Sequence, residues 1–365
     1  MTYSFPCFTG DTLVLTNNGY KKISDVEVGE KVLTHKNTYD KVLASRCTGK
    51  KQIWEIKGLS IDKLKCTENH KFYVREMQKK ENNIKTFSQP KWVSCCDLNK
   101  NHYLGIAINQ NGKIPSIKLP ERHEIITVMT KDGEKEKLKK ISNTEFKLMN
   151  SKNFWWIVGR CLRKNPLASG NKTFLHGKPS EFDEMIPHLQ KCNLHYVVNK
   201  NFSTPGNLKF VIHSDALVQI LKLCGRRKEQ RLPSLVLDMP VYLLQSFIEG
   251  YKSLYDCDTR VKAPSKKMAY GLAQIIAKVY KTPYRLFKSD PRWYIVDFTK
   301  KRNRAFYENG YIWYPIQLIK CTDEYEMVYD IEVENSHSFT ANGTIAHNCT
   351  DLSVAFLEAR SFMTE

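Results

Sequence analysis

Apolar and polar residues alternate in short runs over the first hundred residues and again near the end of the chain. The early runs are rich in β-branched and aromatic residues, and turn sequences such as NNG and CTGKK divide them. They are TLVLT, GEKVLTH, QIWEIKG, HKFYVR and KWVSCCDLNKNHYLGIAI. After residue 310 the pattern returns in IWYPIQLIKC, MVYDIEVE and SFTANGTIAH. Both ends of the chain are therefore predicted to be β-structure.

The spacing of apolar residues changes in the middle of the chain. SKNFWWIVGRCL and PVYLLQSFIEGYKSLYD are apolar over the length of a helix. FDEMIPHLQKC, SDALVQILKLC and GLAQIIAKVY are amphipathic at helical spacing. Two all-β pieces thus flank a mixed α/β centre. The pattern leaves open whether the two pieces are separate domains or halves of one domain that an insertion interrupts.

The positive charge of the chain is confined to this centre. The net charge is +19, and residues 111–310 contain 37 Lys and Arg against 18 Asp and Glu, whereas the remainder contains 20 of each. A basic segment between neutral ones indicates a module that faces a polyanion, such as double-stranded DNA.

Composition and local patterns exclude several classes of protein. No apolar run approaches the roughly 20 residues that span a bilayer, and the N-terminus lacks the order of a signal peptide. The 11 cysteines are an odd number without a CxxC pair, which argues against a disulfide framework and a zinc site. We therefore expect a cytoplasmic, intracellular protein without membrane contact.

The two ends of the chain carry residues suited to breaking peptide bonds. In AHNC, Asn348 lies between His347 and Cys349. An asparagine amide can attack its own backbone carbonyl and cut the chain after itself, and a neighbouring imidazole can assist. In PCFTGDT, Cys7 offers a thiol, the best side-chain nucleophile at neutral pH. CTENHKF adds a further histidine, His70.

In their order along the chain, these stretches resemble the sequence blocks of an intein. CFTGDTLV is similar to the N-terminal block, TENH to the TxxH block, and VYDIEVENSHSFTANGTIAHN with its following Cys to the C-terminal block. The resemblance covers residues 7–348. It implies a mainly β, horseshoe-like Hint domain formed by both ends of the chain. Its expected limits are residues 7–110 and 311–348, with extein remnants at 1–6 and 349–365.

The resemblance also implies a reaction and assigns residues to it. Cys7 would attack the carbonyl of Pro6, Cys349 would capture the acyl group, and Asn348 would cyclise to release the intein. The remaining residues would assist these steps: Thr67 and His70 the first, Asp330 the two thiols, and His337 and His347 the cyclisation. No cofactor is needed, the flanking exteins are partners in cis, and a monomer is expected. The stiff ring of Pro6 crowds the attacked carbonyl.

A basic insertion of this length in an intein implies a LAGLIDADG homing endonuclease, an α+β domain expected at residues 111–310. The motif helices would be WIVGRCLRKN around Gly159 and FIEGYKSLYD around Gly250. Alignment on these glycines puts Lys164 and Tyr255 where the family has metal-binding acids. Neither holds Mg²⁺ at neutral pH, so no metal site is expected. Mg²⁺ would be needed only if the endonuclease were active.

Three other functions stay open at this point. They are an active site-specific homing DNA endonuclease, a DNA-binding protein without splicing, and a Cys/His hydrolase or Hedgehog-type autoprocessing domain. The last shares the chemistry of Cys7 but needs no terminal Asn348. Whether a single-turnover, autocatalytic reaction makes the chain an enzyme is also left open.

Overall fold

The computed structural model describes residues 6–79, 85–130, 133–141, 144–200, 206–252, 257–299 and 304–348. Its first part is β, as predicted. The strands are β1 (Phe8–Thr9), β2 (Leu13–Thr16), β3 (Gly19–Lys22), β4 (Lys31–Leu33), β5 (Tyr39–Gly58), β6 (Leu64–Cys66), β7 (Lys71–Lys79), β8 (Lys85–Phe87), β9 (Lys91–Ser94) and β10 (His102–Ala107).

The middle of the chain is mixed α/β, as its apolar spacing predicts. Its elements are β11 (Arg122–Thr130), β12 (Gly133–Ile141), α1 (Lys152–Lys164), β13 (Leu167–Ser169), β14 (Lys172–Gly177), α2 (Pro179–Asp183), α3 (Ile186–Lys191), β15 (His195–Lys200), β16 (Leu208–His213), α4 (Asp215–Cys224), α5 (Ser234–Leu237), α6 (Val241–Lys252), β17 (Arg260–Ala263), α7 (Lys266–Tyr280), β18 (Arg285–Asp290) and β19 (Trp293–Asp297). None of the described helices is long and apolar enough to span a bilayer.

The last part of the chain is again β and completes the sheet of the first part. It contains β20 (Phe306–Glu308), β21 (Tyr311–Val333), β22 (Ser338–Ala341) and β23 (Thr344–His347). Strand β21 pairs antiparallel with β1, β5 and β10. Strand β22 pairs with β2, and β23 pairs with β7 and β10. The two β pieces are therefore halves of one domain, which settles the question that the pattern left open.

The predicted turn at CTGKK is wrong. Strand β5 runs through it without a break, from Tyr39 to Gly58, because β21 supplies a partner along nearly its whole length. The register shifts at Gly49, which has a φ of +95°. A β-bulge thus uses the glycine that the sequence pattern assigns to a turn.

Packing divides the chain into two compact units. The larger unit comprises residues 1–111, 227–237 and 257–365, and the smaller comprises 112–226 and 238–256. Residues 257–297, which lie inside the predicted insertion, thus pack with the β-sheet of the chain ends. The limits 111–310 of the insertion stay a prediction. Contacts show which residues pack together, but not where an inserted segment begins and ends in the sequence.

Helix α7 shows how this segment joins the larger unit. The rings of Tyr270 and Tyr20 lie 5.2 Å apart, and the Tyr270 hydroxyl donates to Asp62 Oδ2 at 3.3 Å. Gln274 Nε2 donates to the Ala107 carbonyl at 2.9 Å, and the Asn109 amide donates to Gln274 Oε1 at 3.2 Å. These buried contacts tie the helix to strands β3 and β10.

We predict that Tyr270→Ala lowers the free energy of unfolding by about 3–5 kcal/mol, because it removes a buried aromatic ring and leaves a cavity. Tyr270 is 2% exposed. Tyr325→Ala is the matched control, since Tyr325 is 56% exposed, and it should change stability by no more than about 0.5 kcal/mol. Urea unfolding checks both. Equal effects would mean that α7 contributes little to this unit.

Within the smaller unit, α1 and α6 pack face to face through their glycines. A Cβ at Gly159 would overlap the Phe247 carbonyl oxygen, and one at Gly250 would overlap the Trp156 carbonyl oxygen. Only glycine permits two helix backbones to approach this closely. Gly159 and Gly250 are therefore the residues that let α1 and α6 pack this closely.

Candidate functional site

A tight hairpin presents the C-terminal site. Asn342 and Gly343 have φ values of +46° and +81°, as the two central residues of a type I′ turn require. The turn pairs Ser338 with His347. Asn348 therefore follows directly beside His337, and its amide donates to the His337 carbonyl at 3.0 Å.

The Asn348 carboxamide is held in one orientation by two backbone groups. Nδ2 donates to the His337 carbonyl at 2.6 Å, and Oδ1 accepts from the Val333 amide at 2.8 Å. The residue is 2% exposed. Because donor and acceptor are both satisfied, the nucleophilic nitrogen has a defined position beside its own backbone carbonyl.

His347 lies against the carbonyl that this carboxamide would attack. Its Nδ1 is 2.6 Å from the Asn348 backbone oxygen. A carbonyl oxygen only accepts, so Nδ1 carries the hydrogen. Burial lowers the pKa of His347, although the hydrogen bond to Asn348 opposes this shift. A neutral imidazole N–H thus points at the oxygen where negative charge would develop during cyclisation.

The N-terminal site is built where β1 lies between β21 and β6, with which it pairs on either side. Phe8 pairs with Tyr329, and Cys7 and Asp330 are the sequence neighbours of these two residues. Cys7 and Asp330 are both buried. The Cys7 amide donates to Thr67 Oγ1 at 2.9 Å, and the Thr67 amide donates to the Cys7 carbonyl at 3.0 Å. The nitrogen of the bond to be broken is therefore fixed by Thr67.

His70 lies in an apolar pocket beside Cys7. Its ring is fully buried and meets the Phe8 ring edge to face, with the centroids 4.1 Å apart. Neither ring nitrogen has a hydrogen-bond partner among the described residues. Burial is the main cause that lowers the pKa of His70 from 6.5 to about 3, and the nearby His347 imidazole adds to the effect. The imidazole is therefore neutral at physiological pH, and any chemical role would use a neutral N–H or a lone pair.

This low pKa predicts a pH-dependent stability. The unfolded chain takes up the His70 proton first, so this group leaves the free energy of unfolding unchanged above about pH 6.5 and lowers it progressively as the pH falls from 6.5 towards 3. The slope contributed by one such group reaches about 1.4 kcal/mol per pH unit. His70→Gln should remove that slope between about pH 6 and pH 4. Urea unfolding at several pH values tests this, and parallel slopes for the two proteins would contradict it.

Strand pairing brings the two ends of the chain together. Ala346 on β23 pairs with Phe72 on β7, two residues after His70. His70, directly before β7, and Asn348, directly after β23, therefore adjoin two paired strands. The His337 ring is exposed, and its backbone carbonyl makes the contact with Asn348. Cys349 lies outside the described residues.

Comparison with known proteins decides the family. A family model described as the intein splicing domain matches residues 13–348. The chain belongs to the intein splicing-domain family. An uncharacterized protein of Methanocaldococcus jannaschii is 53% identical over 36 residues, which are 10% of this chain and 5% of that protein. The chain thus spans only a small part of the length of this curated relative.

Solved structures give two further similarities. A DnaB intein from Synechocystis sp. PCC 6803 is 10% identical, over 94% of this chain and 98% of that one, with a TM-score of 0.32. Variants of the homing endonuclease I-DmoI are 12% identical, over 40% of this chain and 84% of that one, with a TM-score of 0.30.

The smaller unit of this intein does not fit a magnesium ion at the position of Lys164. The Lys164 ammonium pairs with Glu181 Oε2 at 2.5 Å and donates to the His176 carbonyl at 3.2 Å. A cation already occupies the place where a metal would need a carboxylate. Within the described residues, no group of three His, Cys, Asp or Glu side chains could hold a metal ion. Tyr255 lies outside the described residues.

Two further side chains contact the predicted site residues. Trp92 packs edge to face on His347 at 4.9 Å, and Asn69 accepts a hydrogen bond from Thr67 Oγ1 at 3.1 Å. Asn69 stands within TENH, so its place beside Thr67 was a usable signal. Trp92 carried no such signal, because β9 reaches His347 only through the pairing of β7 with β23.

Proposed function

We propose that the chain excises its own residues 7–348 and joins Pro6 to Cys349 by a peptide bond. Membership of the intein family supports protein splicing in general. The observation that carries the detailed proposal is the contact of His347 Nδ1 with the Asn348 backbone oxygen, beside a carboxamide fixed by two backbone groups. That arrangement suits one reaction, cyclisation of Asn348.

The first two steps move the N-terminal flank from nitrogen to sulfur. Cys7 Sγ attacks the Pro6 carbonyl carbon, the bond from that carbon to the Cys7 nitrogen breaks, and the thiol proton passes to the amine. Thr67 holds this nitrogen, and His70 polarises the bond. The Cys349 thiol then takes the acyl group and restores the Cys7 thiol. Asp330, which is also buried, would adjust both thiols.

The last two steps release the intein and join the flanks. Asn348 Nδ2 attacks its own carbonyl carbon, which breaks the bond to Cys349 and leaves a succinimide. His347 stabilises the developing oxyanion, and His337 supplies acid–base help. The freed Cys349 amine then attacks the thioester, giving a peptide bond and a thiol. These steps conserve all atoms without a cofactor. The exteins act in cis, so one copy of the chain suffices.

Flanking the chain with two folded reporter proteins of different mass tests this proposal. On a denaturing gel, splicing gives a fusion of the two reporters and a free intein. A Hedgehog-type reaction would release only the N-terminal reporter on addition of a small nucleophile. A protein that only binds DNA would leave the precursor intact, and either of these results would contradict the proposal.

For the insertion, we propose binding to double-stranded DNA without cleavage. The positive charge of residues 111–310 supports binding, which should weaken steeply with salt. The ion pair of Lys164 with Glu181 supports the loss of cleavage, because cutting needs carboxylates that hold a metal.

The test uses duplex DNA that encodes residues 1–6 joined directly to residues 349–365. We expect a salt-dependent mobility shift and no double-strand break in Mg²⁺ or Mn²⁺. A specific break that Asp256→Asn abolishes would contradict the proposal. It would place the metal-binding acid one position after Tyr255.

A further inference from the structure

The β-bulge in β5 lies beside the N-terminal splice junction. Cys47 pairs with Tyr329 and Gly49 pairs with Val328, so Thr48 is the extra residue between them. The positive φ of Gly49, +95°, accommodates this extra residue. Tyr329 is also the partner of Phe8, the residue after Cys7. Bulges beside active sites commonly turn one side chain towards the reacting groups.

The bulge turns the Thr48 hydroxyl towards the nucleophile. Thr48 Oγ1 lies 2.9 Å from Cys7 Sγ and 3.3 Å from the Val328 carbonyl oxygen, to which it donates. Val328 and Cys7 are both fully buried, in a cluster with Ile53. While the hydroxyl donates to Val328, its lone pairs face the Cys7 S–H. Thr48 therefore accepts a hydrogen bond from the thiol in the resting state.

We propose that Thr48 is a catalytic residue of the first splicing step, with its hydroxyl orienting the Cys7 thiol and then stabilising the thiolate. This inference rests on the proposed function. As the proton leaves sulfur, the hydroxyl turns from Val328 and donates to the thiolate. Sγ bonds to the Pro6 carbonyl carbon, that carbon releases the Cys7 nitrogen, and the proton ends on the amine. No other reactant is consumed.

The chemistry of a buried thiol explains why a hydroxyl is useful here. The thiolate is the nucleophile, and burial in an apolar cluster disfavours its charge. A hydrogen bond to a charged group stabilises it by an amount that corresponds to about 10- to 100-fold in rate. A hydroxyl that can accept in one state and donate in the next serves both the thiol and the thiolate.

The experiment isolates the first step in a chain that carries Asn348→Ala and Cys349→Ala. Dithiothreitol cleaves the thioester at Cys7, and the rate of this cleavage is measured from about pH 6 to pH 9. Thr48→Val keeps the shape but removes the hydroxyl, so we expect a loss of about 10- to 100-fold and a rate profile shifted to higher pH. Thr48→Ser should recover most of the rate.

Two controls separate this role from a structural one. Thr86→Val, on the short strand β8, should match the parent chain. In a Cys7→Ala chain with Asn348 and Cys349 intact, cleavage after Asn348 reports folding. If Thr48→Val slows that cleavage by the same factor, the loss is one of folding and the proposal is overturned.

Two further results would overturn the proposal. One is that the Thr48→Val chain has the cleavage rate and pH profile of the parent, and that the parent forms a thioester. In that case the role of Thr48 is wrong, and the proposed function stands. The other is a parent chain that forms no thiol-cleavable thioester at all; then the proposed function fails with it.

Discussion

Asn348→Ala is expected to stop release of the C-terminal flank below the limit of detection. In the proposed reaction the carboxamide is the nucleophile for that cleavage, and the Val333 amide and the His337 carbonyl hold it in one orientation. A fixed intramolecular nucleophile corresponds to an effective concentration of about 10⁵ M or more, which water cannot replace. Alanine leaves the backbone of the hairpin unchanged, so the loss should be specific to this step.

The measurement is the intact mass of the protein after prolonged incubation in reductant. The variant should keep its C-terminal flank and still lose its N-terminal flank to added thiol at Cys7. Asn18→Ala, at an exposed position remote in sequence, should splice like the parent. Release of a flank beginning at Cys349 from the Asn348→Ala chain would mean that another group cuts this bond.

Cys7→Ala is expected to abolish both thioester formation and ligation. The amide of residue 7 would still be bound by Thr67, but no sulfur would remain to attack the Pro6 carbonyl. Cleavage after Asn348 should continue, because His347 and the Asn348 carboxamide form a separate set of contacts. The product should therefore be the chain from Met1 to Asn348.

Cys47→Ala is the matched control for this prediction. Cys47 is an exposed free thiol on β5, next to the bulge. Its removal should leave ligation intact, as judged by the same mass measurement. Ligated flanks from the Cys7→Ala chain would show that the first nucleophile is a different residue.

Much of the fold follows from local sequence. The hairpin of β22 and β23 is visible because Asn342-Gly343 provides two positive φ angles between apolar runs. Helices α1 and α6 can be predicted because their apolar segments are longer than strands usually are. Their glycines permit the two helix backbones to approach closely. In each case the deciding interaction is local or intrinsic to the residue type.

Other features depend on partners far along the chain. The sequence pattern predicts a turn at Thr48-Gly49, because β-bulges and turns favour the same residue types. Only the pairing of β5 with β21 shows that these residues form a bulge. The excess of positive charge places α7 within the predicted insertion, because charge describes the surface of a protein and not its internal packing. Packing joins α7 to the β-sheet through Tyr270 and Gln274, whose buried contacts have no sequence signature.

The candidate site divides in the same way. Cys7, His70 and Asn348 can be proposed from sequence because few residue types could perform these steps. Their environment cannot. The depressed pKa of His70 comes from burial against Phe8, and the contact of His347 with the Asn348 carbonyl comes from the end of the hairpin.

Tandem mass spectrometry of a tryptic digest, after incubation of the chain in reductant, tests the central claim most directly. Splicing predicts the peptide MTYSFPCTDLSVAFLEAR, in which Pro6 is joined to Cys349. The contradicting result is a digest that contains only the two uncut junctions. These would be the peptide from Met1 to Lys21 and the peptide from Cys321 to Arg360, with the joined peptide missing.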